Sequence, residues 1–172
     1  MSVVAPLQTI AVGVVVERTK GVTRWSEFAW RPVGVLAGAP DTPPWTKLSD
    51  DGERATFFAG TAEIELYRTE SPYYRANLES GSPGLWVSLR PSDGEPPFAV
   101  ATVTADPAEG ESLTETATET VEQVPMPEPI QQIVAAFIAE HPFEQAFTKR
   151  KRDRPDPEAL ARRFPTHDEE QP

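Results

Sequence analysis

The chain has 172 residues, a formal net charge of −11 at pH 7, 19 prolines and no cysteine. This length accommodates one domain of roughly 100–150 residues together with loops and a tail. The absence of cysteine excludes disulfides, thiolate nucleophiles and thiolate ligation of metals, and it fits a cytoplasmic protein. His141 and His167 lie far apart in the sequence, which argues against a two-histidine metal site and a Ser-His-Asp triad.

The charge is unevenly distributed along the chain. Residues 106–147 carry nine acidic residues and no basic one, a block that would repel nucleic-acid phosphates. Residues 148–172 carry seven basic and six acidic residues, which predicts a charged, largely disordered tail from 149 to 172. No apolar stretch approaches the roughly 20 residues that span a bilayer. We therefore expect neither a nucleic acid nor a membrane as partner.

Short β-favouring segments follow one another from the N-terminus, separated by turn signals. They are residues 7–18, 24–37, 53–60, 62–69, 85–91 and 98–105. Within the first segment, Gly13 indicates a bulge or a close approach of another part of the backbone. The dipeptide Gly60-Thr61 predicts a tight turn that joins 53–60 and 62–69 into a hairpin. Turn signals about every ten residues are typical of a barrel or a sandwich.

Two segments leave alternatives open. Residues 71–80 favour a strand, with a short helix that has Pro72 in its first turn and Ser71 as N-cap as the alternative. Residues 106–124 are acidic and rich in threonine, and they allow a loop, a solvated helix or an excursion that covers a sheet edge.

The clearest helical pattern lies near the C-terminus. A stripe of apolar residues at helical spacing predicts a closing helix near 128–141. The stripe comprises Ile130, Ile133, Val134, Phe137 and Ile138. The predicted fold is α+β and mainly β, a small antiparallel barrel or sandwich with this one amphipathic helix. The single β-rich domain is expected to span 7–148.

No motif in the sequence points to catalysis. The P-loop pattern, the dinucleotide-binding G-x-G-x-x-G and the G-x-S-x-G nucleophile elbow are all absent. We therefore predict no catalytic residues, no metal ligands and no bound cofactor, although the sequence does not decide whether the chain is an enzyme.

Tryptophan and arginine are the more informative residues, since both are favoured at interfaces. The sequence predicts Trp25, Trp45 and Arg31 as partner-binding residues. A second hypothesis places a phosphate or pterin group against four arginines. These are Arg31, Arg68, Arg75 and Arg90.

Several motifs together resemble one bacterial family of unknown function. They are VGVVVER, W-x4-W-R-P-V-x-V-L-x-G-A-P from Trp25, A-G-T-x-E-I-E-L-Y-R-T-E, Y-R-A-N-L-E-S, V-P-M-P-E-x-I and F-T-K-R-K-R. Members of that family are encoded near molybdenum-dependent formate dehydrogenases, and some are labelled molybdopterin-guanine dinucleotide biosynthesis proteins. The resemblance covers about residues 9–152. It implies a role in the assembly or maturation of a molybdoenzyme.

These observations lead to three hypotheses. The first is a non-catalytic accessory protein that binds a molybdoenzyme, such as formate dehydrogenase, or one of its maturation factors. The second is a carrier of a phosphate or pterin cofactor. The third is a transferase acting on that cofactor, for which the chain lacks the α/β pattern with a glycine-rich phosphate loop.

Overall fold

A computed structural model describes residues 4–21 and 28–143. The strands are β1 (Gln8–Lys20), β2 (Phe28–Ala37), β3 (Thr46–Asp50), β4 (Arg54–Leu66), β5 (Gly84–Pro91), β6 (Phe98–Thr104) and β7 (Thr120–Pro125). The α-helices are α1 (Ser71–Leu78), α2 (Pro107–Thr114) and α3 (Glu128–Glu140), and a short 3₁₀ helix (Arg68–Glu70) precedes α1. The tail predicted at 149–172 lies outside the described residues.

The seven strands form two antiparallel sheets. Sheet A has the order β2-β1-β4-β3, and sheet B has the order β6-β5-β7. Strand β4 lies beside β6, and β2 lies beside β7, but neither pair is joined by hydrogen-bonded strand pairing. The described strands therefore form a sandwich, which confirms one of the two predicted architectures, and no closed barrel.

The core lies between the two sheets. Val12, Val14 and Val16 of β1 are completely buried, as are residues at every second position of β5. The β5 residues are Leu85, Val87 and Leu89. This alternation reflects the two-residue period of a strand with one face turned inward.

The predicted closing helix is confirmed as α3. Ile130, Val134, Phe137 and Ile138 are buried on one stripe, and they belong to the same apolar core as the strand residues. Proline occupies the first turn, where its missing N–H costs no helical hydrogen bond. Among the described helices, none has both the length and the apolar character needed to cross a membrane.

The prediction of a strand at 71–80 is wrong, because this segment forms helix α1. Ser71, Tyr74 and Asn77 are buried at a spacing of three, which places them on one helical face. Asn77 is held there by hydrogen bonds, since its amide donates to the carbonyls of Gly84 and Ala105 at 2.8 and 2.9 Å. Ser71 is not the N-cap, and its hydroxyl donates to the His141 carbonyl instead.

The predicted hairpin at Gly60-Thr61 is also wrong. Strand β4 runs through this dipeptide without turning, and its pairing with β1 shifts by one residue between Phe58 and Gly60. The left-handed φ of 139° at Gly60 accommodates this bulge. The Gly60-Thr61 dipeptide is therefore the site of a bulge and not of a turn, because β4 pairs with β1 on both sides of it.

Residues 106–124, for which the sequence left three alternatives, contain both α2 and part of β7. Asp106 caps α2 by accepting a hydrogen bond from the backbone N–H of Ala108 at 2.9 Å. Helix α2 covers the outer face of β5, where Gly110 lies directly against the Trp86 indole. A side chain larger than hydrogen would not fit at this glycine without moving the ring.

The proline-rich loop 38–45 packs on the outer face of sheet A. A Cβ added to Gly13 would lie 2.8 Å from the Phe58 ring and 3.3 Å from Cδ of Pro40. The close neighbours of Gly13 are therefore side chains and not backbone, and the shift in pairing with β4 lies between Val14 and Val15. The loop places Trp45 at the start of β3.

Candidate partner-binding surface

The two central strands of sheet A are longer than the central strand of sheet B. Strands β1 and β4 each contain 13 residues, and β5 contains eight, a difference of about 16 Å at roughly 3.3 Å per residue. The core-facing series on β1 continues from Val16 to Arg18, whose side chain is 24% exposed. At this end, where β1 finishes and β2 begins, the inner face of sheet A carries aromatic side chains instead of aliphatic ones.

Five aromatic side chains from both sheets meet at this end of the sandwich, and we call them the aromatic ledge. They are Phe28, Trp30, Trp45, Phe57 and Phe98. Trp30 lies at the centre, with ring centroids 5.5 Å from Phe57 and 5.8 Å from Trp45. The edge-to-face angle of 84° between the two tryptophans is a favourable aromatic geometry.

The ledge is partly open to solvent. Phe28 is 39% exposed, whereas Phe57 at the base is 7% exposed. Trp30, Trp45 and Phe98 are half-buried and pack against the main core. The ledge is therefore a continuation of the core that reaches the surface.

A guanidinium group lies over the ledge. Cζ of Arg18 is 4.4 Å from the centroid of Phe28 and 5.2 Å from that of Phe57, which is within the range of cation–π attraction. The Arg18 guanidinium also lies 3.9 Å from the Asp50 carboxylate. Lys47 donates a 2.8 Å hydrogen bond to Asp50, and this bond is the main reason that the pKa of Asp50 is lowered.

Trp45 reaches the ledge with an unusual backbone conformation. Its φ of 66° is left-handed, a region that bulky residues rarely adopt. Its N–H donates to the carbonyl of Phe58, and the next residue, Thr46, donates from its hydroxyl to the Pro43 carbonyl at 2.7 Å. The surrounding hydrogen bonds thus hold a conformation that would cost on the order of 1–3 kcal/mol in isolation.

The predicted partner-binding residues are separated by the structure. Trp45 belongs to the ledge. Arg31 pairs in register with Glu17, and its guanidinium lies 3.4 Å from the Glu17 carboxylate. Because neighbouring residues of a strand point to opposite faces, Arg31 lies on the face of β2 opposite Trp30. Trp25 lies outside the described residues.

The four arginines predicted to bind a phosphate or pterin group lie on four different elements. Arg31 is on β2, Arg68 starts the 3₁₀ helix, Arg75 is in α1 and Arg90 is near the end of β5. All four are exposed. Their clustering around a ligand remains a prediction.

Sequence reasoning did not find the other members of the ledge. Arg18, Phe28 and Phe57 lie in predicted strands, but no local pattern distinguishes them from residues of the core or the surface. The signal that was available is the F-x-W pair of Phe28 and Trp30, two residues apart and therefore on one face. Its meaning depended on the packing of Trp45, Phe57 and Phe98 against Trp30, which is a property of the tertiary structure.

Within residues 4–21 and 28–143, no group of three His, Cys, Asp or Glu side chains is arranged to hold a metal ion.

A family model described as "Protein of unknown function (DUF3305)" matches residues 11–152. The chain belongs to the DUF3305 family. The match includes every strand of both sheets, except the first three residues of β1, and all three α-helices. No curated protein and no solved structure gives a match.

Proposed function

We propose that this DUF3305 chain is a non-catalytic accessory protein that binds a partner protein through the aromatic ledge. The observation that supports the proposal is the partly exposed group of five aromatic side chains, three of which lie under the Arg18 guanidinium. Tryptophan and arginine are enriched among the residues that dominate binding energy at interfaces, and aromatic residues are enriched at interfaces generally. The rings pack against the core, which restricts their motion. Side chains that are already rigid lose little conformational entropy when a partner covers them, and this also favours binding.

The partner that we propose is a molybdenum-dependent formate dehydrogenase or one of its maturation factors. Support for this choice comes from the motifs that resemble a family encoded beside such enzymes, including the W-R-P-V stretch that forms much of β2. The ledge supplies a binding surface for that role without requiring catalytic residues.

The genetic test is deletion of the gene in the native cell. We expect formate dehydrogenase activity and enzyme-bound molybdenum to fall while the enzyme's polypeptides are still produced. Complementation with the wild-type gene should restore both. Unchanged activity and molybdenum content in the deletion strain would refute the proposed partner.

The ledge itself is tested by two matched substitutions on β2. Phe28→Ser and Leu36→Ser each replace an apolar side chain of similar exposure, 39% and 41%, at opposite ends of the strand. We expect Phe28→Ser to weaken binding to the purified partner by about tenfold, roughly 1.4 kcal/mol, and Leu36→Ser to leave it unchanged. Equal effects of the two substitutions would show that binding does not depend on the ledge.

Two further variants address the residues predicted from sequence. Trp45→Ala should weaken binding by roughly 1–2 kcal/mol, because it removes a ring in contact with Trp30. Charge reversal by Arg31→Glu tests the opposite face of the strand. If only Arg31→Glu weakened binding, the interface would lie on that opposite face and not at the ledge.

A further inference from the structure

The two sheets leave an open seam on one side of the sandwich. Residues 61–65 of β4 and residues 100–104 of β6 face each other there without strand pairing, and the groove between them has a volume of about 370 Å³. The strands approach at one end, where a Cβ added to Gly60 would lie 3.9 Å from Val100. Both walls therefore present strand edges with unpaired backbone groups.

The β6 edge lacks the usual protection against pairing with another segment. Its sequence, FAVATVT, contains no charged residue, no proline and no glycine. An unprotected edge of this kind is a template for an extended segment. Such a volume accommodates a narrow extended segment with long side chains rather than a folded domain.

The groove selects for positive charge. Glu63, Glu65 and Glu109 line it, and none of its ten lining residues is basic. Two of the carboxylates are positioned by hydrogen bonds, because Tyr67 donates to Glu65 and Thr104 donates to Glu109, each at 2.8 Å. An extended segment that carries lysine or arginine is thus complementary to the groove in charge.

Further negative charge lies beside the groove. Burial and the neighbouring Asp106 carboxyl raise the pKa of Glu70, which indicates that carboxyl groups are crowded here. Asp106 follows Thr104 by two residues and begins α2, the helix that carries Glu109. A cation placed in the groove would relieve this repulsion.

The described part of the chain leaves helix α3 close to this region. The Ser71 hydroxyl donates to the His141 carbonyl at 2.9 Å, and Ser71 directly follows Glu70. Lys149 comes eight residues after His141. A fully extended chain of eight residues spans about 26 Å. The family match continues to residue 152 and so includes most of the basic run at 149–154.

We propose that the chain's own basic segment, residues 149–154, binds in the groove between β4 and β6, with its lysine and arginine side chains directed at Glu63, Glu65 and Glu109. The binding is intramolecular. It places a basic segment on the sheet edge that would otherwise be open to other strands.

A spin label on the full-length chain tests this proposal. The natural sequence has no cysteine, so Lys151→Cys provides a single attachment point for a nitroxide. In ¹⁵N-labelled protein, we expect paramagnetic broadening that is strongest at the backbone amides of 61–65 and 100–104 and much weaker at residues 28–30 of β2, at the far end of the aromatic ledge. Broadening spread evenly over the surface, or absent from the groove, would overturn the proposal.

Two glutamate reversals separate binding in the groove from general attraction to an acidic protein. In the labelled chain, Glu63→Lys should lower the paramagnetic relaxation rates in the groove at least twofold. Glu122→Lys, which reverses an exposed strand glutamate on β7 at the other edge of sheet B, should leave them unchanged. Equal effects would overturn the proposal.

A mixing experiment distinguishes the chain's own segment from other occupants. Spin-labelled chain without ¹⁵N is mixed with ¹⁵N-labelled chain that has no spin label. We expect no broadening in this mixture. Broadening of the groove amides would show that a second copy supplies the segment, which would overturn the intramolecular proposal.

Discussion

Trp45 combines a half-buried indole in the aromatic ledge with a strained backbone. The left-handed φ of 66° disfavours any residue with a Cβ, whereas glycine adopts it readily. The conformation persists because the Trp45 N–H bonds to Phe58 and the indole packs against Trp30 and Phe57. A costly conformation that presents an aromatic ring at the surface is consistent with a role in binding.

This strain leads to a prediction about two truncations of Trp45. Both Trp45→Ala and Trp45→Gly remove the ring, but only glycine relieves the backbone strain. We therefore expect Trp45→Gly to be the more stable variant by about 1 kcal/mol, the reverse of the usual order of alanine and glycine. Denaturant unfolding of the two proteins measures this difference, and a more stable alanine variant would contradict the assigned conformation.

Glu70 is the residue whose ionisation should oppose folding. Burial first, and then the Asp106 carboxyl, raise the pKa of Glu70 above its ordinary value of 4.5. The folded state therefore holds this proton more tightly than the unfolded state. The resulting stabilisation is fully present below about pH 4.5 and is lost as the pH rises through the raised pKa.

Glu70→Gln tests this sign. The substitution should raise the melting temperature at pH 7, well above the ordinary pKa of 4.5, and the gain should disappear near pH 4. Glu79→Gln, at an exposed position just after α1, is the control and should change little at either pH. A loss of stability at pH 7 in Glu70→Gln would show that the ionised form is favoured in the fold.

At the scale of whole elements, the contact between α2 and β5 depends on one missing side chain. Replacing a helical glycine by alanine ordinarily stabilises a helix by about 1 kcal/mol. At Gly110 the added methyl group would collide with the Trp86 indole, and the ring would have to move. We expect Gly110→Ala to lower the free energy of unfolding rather than raise it.

A second substitution separates this collision from other effects of the alanine. In a Trp86→Leu background the bulky ring is gone, so Gly110→Ala should become neutral or stabilising. The interaction free energy of the two substitutions, measured by a double-mutant cycle, should therefore be favourable. Independent, additive effects would indicate that Trp86 does not restrict Gly110.

At the scale of the whole molecule, we expect the core to form without the C-terminal tail. The buried apolar side chains of the described chain end with Ile138, in α3. Residues 148–172 are rich in charge, with seven basic and six acidic residues, and such sequences bury too little apolar surface to offset their ordering entropy. A chain ending at Thr148 should therefore melt within a few degrees of the full chain.

This expectation is compatible with binding of residues 149–154 in the groove. Exposed ion pairs contribute about 0–1 kcal/mol each and are screened by salt. A loss of many degrees on truncation would show instead that apolar residues of the tail, such as Leu160 and Phe164, pack against the domain.

The sequence by itself determined the features that depend on local periodicity. The apolar stripe predicted α3 to within a residue at its C-terminal end, and the β-favouring run at 7–18 predicted most of β1. Turn signals predicted a mainly β sandwich or barrel. In each case the pattern is written over a few consecutive residues, since burial of one face requires a period of 3.6 in a helix or 2 in a strand.

The tertiary structure alone decided the meaning of residues with ambiguous local signals. The local sequence at Gly60 predicts a turn, but β4 pairs with β1 on both sides of this residue. The local sequence of residues 71–80 predicts a strand, but the segment is a helix in which Asn77 donates hydrogen bonds to the carbonyls of Gly84 and Ala105. The aromatic ledge brings together side chains of β2, β4, β6 and the residue before β3, which are far apart in the chain. Contacts between residues that are distant in the chain determine the bulge, the helix and the ledge. The pattern of a few consecutive residues does not predict such contacts.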